Sequence, residues 1–237
     1  MNRAPELIGA SAATALAADL SDEELVRHVR SGEARWFEAF VRRFNQRLFR
    51  TARAILRDDA AAEDVVQETY IRAFTHLDQF EGRSSVATWL TRIAVNEAIA
   101  RRRKAGAQWT DRAAIADEDA VSSVDPEVLA LRGEVLTVLS GLVDELPDGL
   151  RTVFVMRAVE GMSVADTATA LGISEENVKV RLFRARAVLR ARLGVAFDEV
   201  TSQVFAFHLS RCDRIVRGVL LRALRAPAAD VAPSPSM

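Results

Sequence analysis

Apolar positions recur three and four residues apart along most of the chain, and nowhere does a strand-like alternation persist. The pattern predicts an all-α protein. In "SDEELVRHVRSGEARWFEAFVRRFNQRLFRTARAIL", the residues Leu25, Val29, Phe37, Phe40, Val41, Phe44 and Leu48 form an apolar stripe. Ser21 stands at capping-box spacing before Glu24, and Gly32 predicts a break between two helices. After "RDDAAAED" the pattern predicts a helix over about 62–78, with Val66, Tyr70, Ala73 and Leu77 turned inward. "DQFEGRSS" reads as a loop, and the next helix runs from Val86 into "ARRRK".

Residues 105–126 are poor in large apolar groups and end in "VDPE", where Pro126 suits a helix start, so they read as a linker. Helical pattern resumes at Glu127. Pro147 opens a helix carrying Leu150, Val153 and Phe154, and Gly161 closes it. In "SVADTATALG", Ser163 and Asp166 stand at capping spacing and Gly172 is the stop; Ser174 then caps "EENVKVRLFRARAVLRARL". A short helix, a turn around Gly172 and a longer basic helix make a helix-turn-helix layout. The last segment predicts one helix over about 209–225, packed on the second domain through Phe205, Phe207, Ile215, Val216, Val219 and Leu220, and then a disordered Pro/Ala end. The expected organisation is a flexible leader (1–20), a helical domain (21–104), a flexible linker (105–126), a helix-turn-helix domain (127–194) and an extension (195–237).

Charge sharpens this division. The formal net charge is only −1, but residues 83–104 carry six basic groups against one acid, and 177–193 carry six against none. Between them, 105–135 carry seven acids against two basic groups, so the linker is acidic. Apolar content of 49% and charged content of 27% are those of a soluble protein. The single cysteine, Cys212, excludes an intrachain disulfide and fits a reducing, cytoplasmic compartment. No apolar run approaches the roughly 20 residues of a membrane span. "LIGASAATALAADL" has the alanines of a signal peptide, but Arg3 is offset by Glu6, which favours the leader.

At about 100° per residue, Val178, Leu182, Ala185, Leu189 and Leu193 fall in one docking stripe of the last long helix. The far side carries Lys179, Val180, Phe183, Arg184 and Ala187. A solvated face normally mixes acids among its bases, and exposed Val180 and Phe183 suit thymine methyls or sugars better than water. On the helix from Val86, Trp89, Arg92, Asn96 and Arg103 share one side. An aromatic, cations and an amide there can stack on, neutralise and hydrogen-bond an unstacked base; a plain core role for Trp89 stays open. Asp64, Gln67, Glu68 and Ile71 share a face of the preceding helix, either solvated or docked on a basic partner.

"AEDVVQETYIRAF", "GRSSVATWLTRIAVNEAIARRRK" and "LPDGLRTVFVMRAVEGMSVADTATALGISEENVKVRLFRARAVLRARL" together resemble the extracytoplasmic-function sigma factors of bacterial RNA polymerase. The resemblance implies a region 2 helical bundle and a region 4 helix-turn-helix joined by the linker. It implies that Asp64, Gln67, Glu68 and Ile71 dock on core polymerase at its clamp, with the flap as a further contact. It implies that the loop Phe80–Ser85, with Arg83 and Ser84, and the helix through Trp89, Arg92, Asn96 and Arg103 melt and read the minus-ten element. Lys179, Val180, Arg181, Phe183 and Arg184 would read minus-thirty-five duplex. Val180 departs from the small hydroxyl residue usual in the family at its position, which removes a hydrogen-bonding group from the reading face. The resemblance also implies an anti-sigma partner and no cofactor.

Three other readings compete. A helix-turn-helix regulator acting without polymerase leaves the first domain unexplained. A sigma-like mimic that only sequesters an anti-sigma partner has no need of an acid-free basic face. An enzyme would need a phosphate loop, a metal-ligand cluster or a nucleophile–base motif, and the sequence offers none; His208 and Cys212, four apart, are only two ligands and read as structural.

Overall fold

The helix α3 (Ala34–Leu56) is the axis of the fold, with Phe40, Val41, Leu48 and Phe49 wholly buried along it. The computed structural model describes residues 10–106, 132–193, 204–205 and 207–223, and every regular element among them is helical. Around α3 pack α4 (Asp59–Thr75) and α5 (Val86–Lys104), sharing one core that includes Tyr70, Leu90 and Val95. The Tyr70 hydroxyl donates to the Val41 carbonyl at 2.9 Å, so this fully buried ring has its polar end satisfied. α2 (Asp22–Arg30) starts with both halves of the expected capping box, Glu24 N–H to Ser21 Oγ at 3.2 Å and Ser21 N–H to Glu24 Oε2 at 2.9 Å.

Two local expectations change here. Residues 10–20 are not a flexible leader: α1 (Ala10–Ala17) lies on α3 with Ala13 and Ala17 buried. Alanine faces let the two helices approach closely, and Arg43 donates to the carbonyls of Ala17 and Leu20 at the end of α1. α4 begins at Asp59, earlier than the pattern suggests, because the Asp58 carboxylate accepts from Ala61 N–H at 2.6 Å. The segment "RDDAAAED" is thus a cap and a first turn. α4 ends at Thr75, and a 3₁₀ turn, Leu77–Gln79, leads into the loop.

A second helical group consists of α6 (Arg132–Glu145), α7 (Asp148–Phe154), α8 (Val164–Leu171) and α9 (Glu175–Leu193). The chain leaves α7 through a π-helical turn, Val155–Val159. Leu139, Leu150, Phe154, Ala185 and Leu189 form its core. The Ser163 hydroxyl caps α8 by accepting from Asp166 N–H at 2.9 Å, and Gly172 ends it at φ 65°, a left-handed conformation that glycine adopts without strain. The expected helix start at Glu127 and the acidic linker from 107 onward lie outside the described residues.

The two groups are docked through a row of arginines on α3. Arg50 pairs with Glu160 at 3.0 Å, Arg53 grips both oxygens of Asp144 at 2.9 and 2.7 Å, and Arg57 donates to the Leu146 carbonyl at 3.1 Å. In return, the fully buried Arg151 of α7 donates to the Ala54 carbonyl of α3 and to Asp148 at 2.6 Å, and Asp148 also accepts from Arg102 of α5 at 2.6 Å. Burial pulls the Arg151 guanidinium down to about 10, still above neutrality, so it remains a cation inside the joint.

The extension is the largest departure from expectation. Its helix α10 (Leu209–Ala223) packs on α3 and α4 of the first group, not on the second. Cys212, Ile215, Val216, Val219 and Leu220 join the first core, and the Phe207 ring sits 5.5 Å from Phe49. Phe205 alone of that set packs in the second core. Electrostatics supplies the reason: Arg211 and Arg214 of α10 meet Asp59 and Glu63 on α4, whereas the long helix of the second group is itself rich in arginine.

Candidate nucleic-acid interface

The helix α5 is fixed at its start by Ser85, whose hydroxyl accepts from Thr88 N–H at 3.1 Å. That cap aims Trp89, Arg92 and Asn96 to one side, where the loop before α5 closes over them. Phe80, Arg83, Ser84, Trp89, Arg92 and Asn96 together line a cleft of about 290 Å³. The Phe80 and Trp89 rings lie 5.2 Å apart at 46°, an aromatic corner at the cleft wall. Trp89 is only half-buried; its packing on the core and its presence in the cleft are both real, so the two readings of it are not exclusive. Arg92 and Asn96 are exposed, and Arg103 is exposed two turns further along, outside the cleft.

The loop is held by a residue the sequence did not single out. Arg30, at the end of α2, donates to the Leu77 carbonyl at 2.8 Å and the Phe80 carbonyl at 3.3 Å. Gly82 turns the loop at φ 72°. The cleft continues past Trp89 and Asn96 into a groove between α4 and α5, lined by Arg72, Ile93 and Glu97, and then by Arg101 and Lys104. The result is an elongated trough with a stacking end and a far end of mixed charge, where Arg72, Arg101 and Lys104 stand beside Glu68 and Glu97.

On α9, Val178, Ala185 and Leu189 are buried and Leu182 partly so, as the wheel requires; the side chain of Leu193 lies outside the described residues. The opposite face exposes Lys179, Val180 and Ala187, and Phe183 stands 74% exposed. Phe183 and Val180 thus make a small apolar spot on an otherwise polar and cationic face. Arg184 is half-buried beside it. Arg181 corrects the sequence reading: it is 7% exposed, on the flank of the docking stripe and not on the open face, because three residues after Val178 the helix has turned back towards the core.

The four residues on α4 divide. Asp64 pairs with Arg101 at 2.8 Å, Glu68 with Arg72 at 3.3 Å, and Ile71 is half-buried. Gln67 faces α10, so closely that a methyl group on Gly218 would come within 2.5 Å of its amide oxygen. The Arg47, Arg50, Arg53, Arg57 row was also missed; its three- and four-residue spacing in "RLFRTARAILR" was the available signal. His208 is exposed while Cys212 is buried, so the two do not converge.

Comparison with known proteins bears on these surfaces. The Sigma-70 region 2 family model matches residues 40–108, and the Sigma-70 region 4 model matches 137–189. The RNA polymerase sigma-H factor of Pseudomonas aeruginosa is 32% identical over 176 residues, covering 71% of this chain and 91% of the relative. The ECF RNA polymerase sigma-E factor of Haemophilus influenzae is 31% identical over 188 residues, covering 75% and 98%. Among solved structures, that of CnrH in complex with the cytosolic domain of CnrY superposes with a TM-score of 0.51 at 30% identity, covering 72% of this chain and 95% of that one. The matched segments contain the cleft, the trough and the open face of α9, and the chain belongs to the extracytoplasmic-function sigma factors, which direct RNA polymerase to specific promoters and promote DNA melting.

Proposed function

We propose that this sigma factor captures a melted minus-ten base in the α5 cleft, reads minus-thirty-five duplex with α9, and holds core polymerase with the outer face of α4. The observation that carries the reading is the convergence of Phe80, Arg83, Ser84, Trp89, Arg92 and Asn96 in one cleft. A base leaving the duplex loses stacking and pairing worth a few kcal/mol; the Phe80–Trp89 corner and the Asn96 amide offset part of that loss. Arg83 and Arg92 neutralise the adjoining phosphates, and Ser85 fixes the start of α5 without touching the base. Arg103 extends the cationic track beyond the cleft.

Lys179, Val180, Phe183 and Arg184 make the duplex-reading set, with Arg181 assigned to docking. Asp64, Glu68 and Ile71 are the clamp-facing residues, with Gln67 at their edge. The protein acts by binding alone, without covalent chemistry, in the cytoplasm where polymerase works. An anti-sigma partner fits the docked pair of domains, since CnrH, which resembles this chain along 72% of its length, was captured with the cytosolic domain of another protein.

The test is transcription from a candidate promoter by core polymerase with and without the protein, paired with Asn96→Ala. Transcription depends on the wild-type protein, and Asn96→Ala retains duplex binding but loses permanganate reactivity at the minus-ten thymines. Normal melting by Asn96→Ala removes the base-capture role.

A further inference from the structure

The most consequential feature outside the DNA-facing surfaces is the seat of α10 on α4. Its apolar side, from Cys212 to Leu220, is buried in the same core as Val66 and Tyr70 of α4. Its polar flank is complementary to α4: Arg211 pairs with Asp59 at 2.5 Å and with Glu63 at 3.1 Å, and Arg214 pairs with Glu63 at 2.6 Å. Asp213 holds the other flank to Arg42 of α3 at 2.8 Å. Gly218 lets the α10 backbone lie directly over the Gln67 amide. A glycine inside a helix weakens it, and here the Gln67 amide fills the space that a side chain would take. Glu63 and Gln67 are one turn apart on α4, and Asp64 and Ile71 lie on the adjoining strip of the same helix.

We infer that α10 is a built-in gate on polymerase binding: it occupies the Glu63–Gln67 edge of the α4 face, and core polymerase and α10 compete for that edge. This rests on the reading of α4 as the polymerase-facing helix and adds a chain-internal control to it. The contact suits a reversible gate. The ionic flank is partly exposed, with Arg214 56% accessible, and so is weakened by salt or by a competing polyanionic or acidic surface. The apolar side holds the helix in place when no competitor is present. In the seated form the face is incomplete, and the apparent affinity for core polymerase is reduced by the fraction of molecules in which α10 has left.

The experiment uses the full chain. Hydrogen exchange of residues 209–223 is measured with and without core polymerase, alongside the dissociation constants of wild type, Arg211→Glu/Arg214→Glu and Gly218→Leu. The double charge reversal opposes Asp59 and Glu63 from the exposed Arg214 and from Arg211 beneath it, and Gly218→Leu presses on the Gln67 side chain and loosens the seat; unchanged exchange in α5, which lies outside that seat, verifies the fold. If a tenth of the wild-type molecules are open, both variants bind core polymerase about tenfold more tightly, and α10 in the wild type loses protection when polymerase is added. Unchanged affinities in both variants, or an α10 equally protected in the complex, overturn the gate. Ile71→Arg separates the two levels. If it binds core polymerase normally, the assignment of α4 is wrong. If it abolishes binding while α10 stays protected in the wild-type complex, that assignment stands and the gate alone fails.

Discussion

At the scale of single residues, Phe183 separates folding from reading. It is 74% exposed, so truncation changes few internal contacts and Phe183→Ala alters folding stability by less than about 0.5 kcal/mol. Its ring is nevertheless the apolar centre of the α9 face, and the same variant weakens binding to promoter duplex, measured by titration at fixed salt. Equal affinity for wild type and variant would remove Phe183 from the interface. Arg184→Ala is the companion: loss of a base contact costs about 1–3 kcal/mol on cognate duplex and little on scrambled duplex. Val180 offers methyls where the family usually has a hydroxyl, so Val180→Thr shifts preference among bases at one position instead of changing affinity uniformly. Single residues were also where the sequence was read best and worst. Val178, Ala185 and Leu189 obey helical periodicity, which depends only on backbone geometry, and all are buried. Arg181 lies at the boundary of that stripe, and a wheel cannot say which way a long side chain at a boundary will lean.

At the scale of elements, local signals were legible wherever the physics is local. The capping box at Ser21, the Ser163 cap, the stop at Gly172 and the bounds of α5 all follow from hydrogen-bonding groups within four residues of one another. The cleft was legible as a residue set for the same reason, since Trp89, Arg92 and Asn96 share one helix. Partners were not. Arg30 reaches Leu77 and Phe80 across forty-seven and fifty residues, and nothing in either segment announces the other. The arginine row of α3 shows the limit most clearly, because its spacing marks one face but not what the face meets. Arg53 is the row's strongest member: it bonds both oxygens of Asp144 and lies 4.8 Å over the Phe205 ring. Charged hydrogen bonds of this partly buried kind contribute about 2 kcal/mol, so Arg53→Ala lowers the thermal midpoint and loosens the joint between the helical groups. A small-angle scattering radius unchanged by that variant would show that the apolar contacts hold the joint alone.

At the scale of the whole molecule, two carboxylates make the docking of the helical groups sensitive to acid. Burial alone would raise the Asp148 carboxyl, but hydrogen bonds from Arg102 and Arg151 outweigh it and hold the group below its usual 3.8. Asp166 is also lowered, chiefly by the Ser163 hydroxyl and then by Thr88 of α5, which donates to it at 2.7 Å across the joint. A carboxyl whose value is depressed in the docked state favours docking fully above its free value, and that contribution disappears as pH falls through the depressed one. Docking draws on the Arg102 and Thr88 bonds fully above 3.8 and weakens below that value as Asp148 and Asp166 take up protons. The shares due to Arg151 and Ser163 lie within the second group and do not change on separation. A fluorophore pair, one on α5 and one on α8, reports the separation as falling transfer efficiency. Asp148→Asn removes part of the response, because an amide cannot titrate, and weakens docking at neutral pH by breaking the charge pair with Arg102. If the wild-type joint opens with a midpoint well above pH 4, a group other than these two controls it. If Asp148→Asn shows the full wild-type acid transition, Asp148 is bound equally well in both protonation states and the joint rests on the α3 arginines.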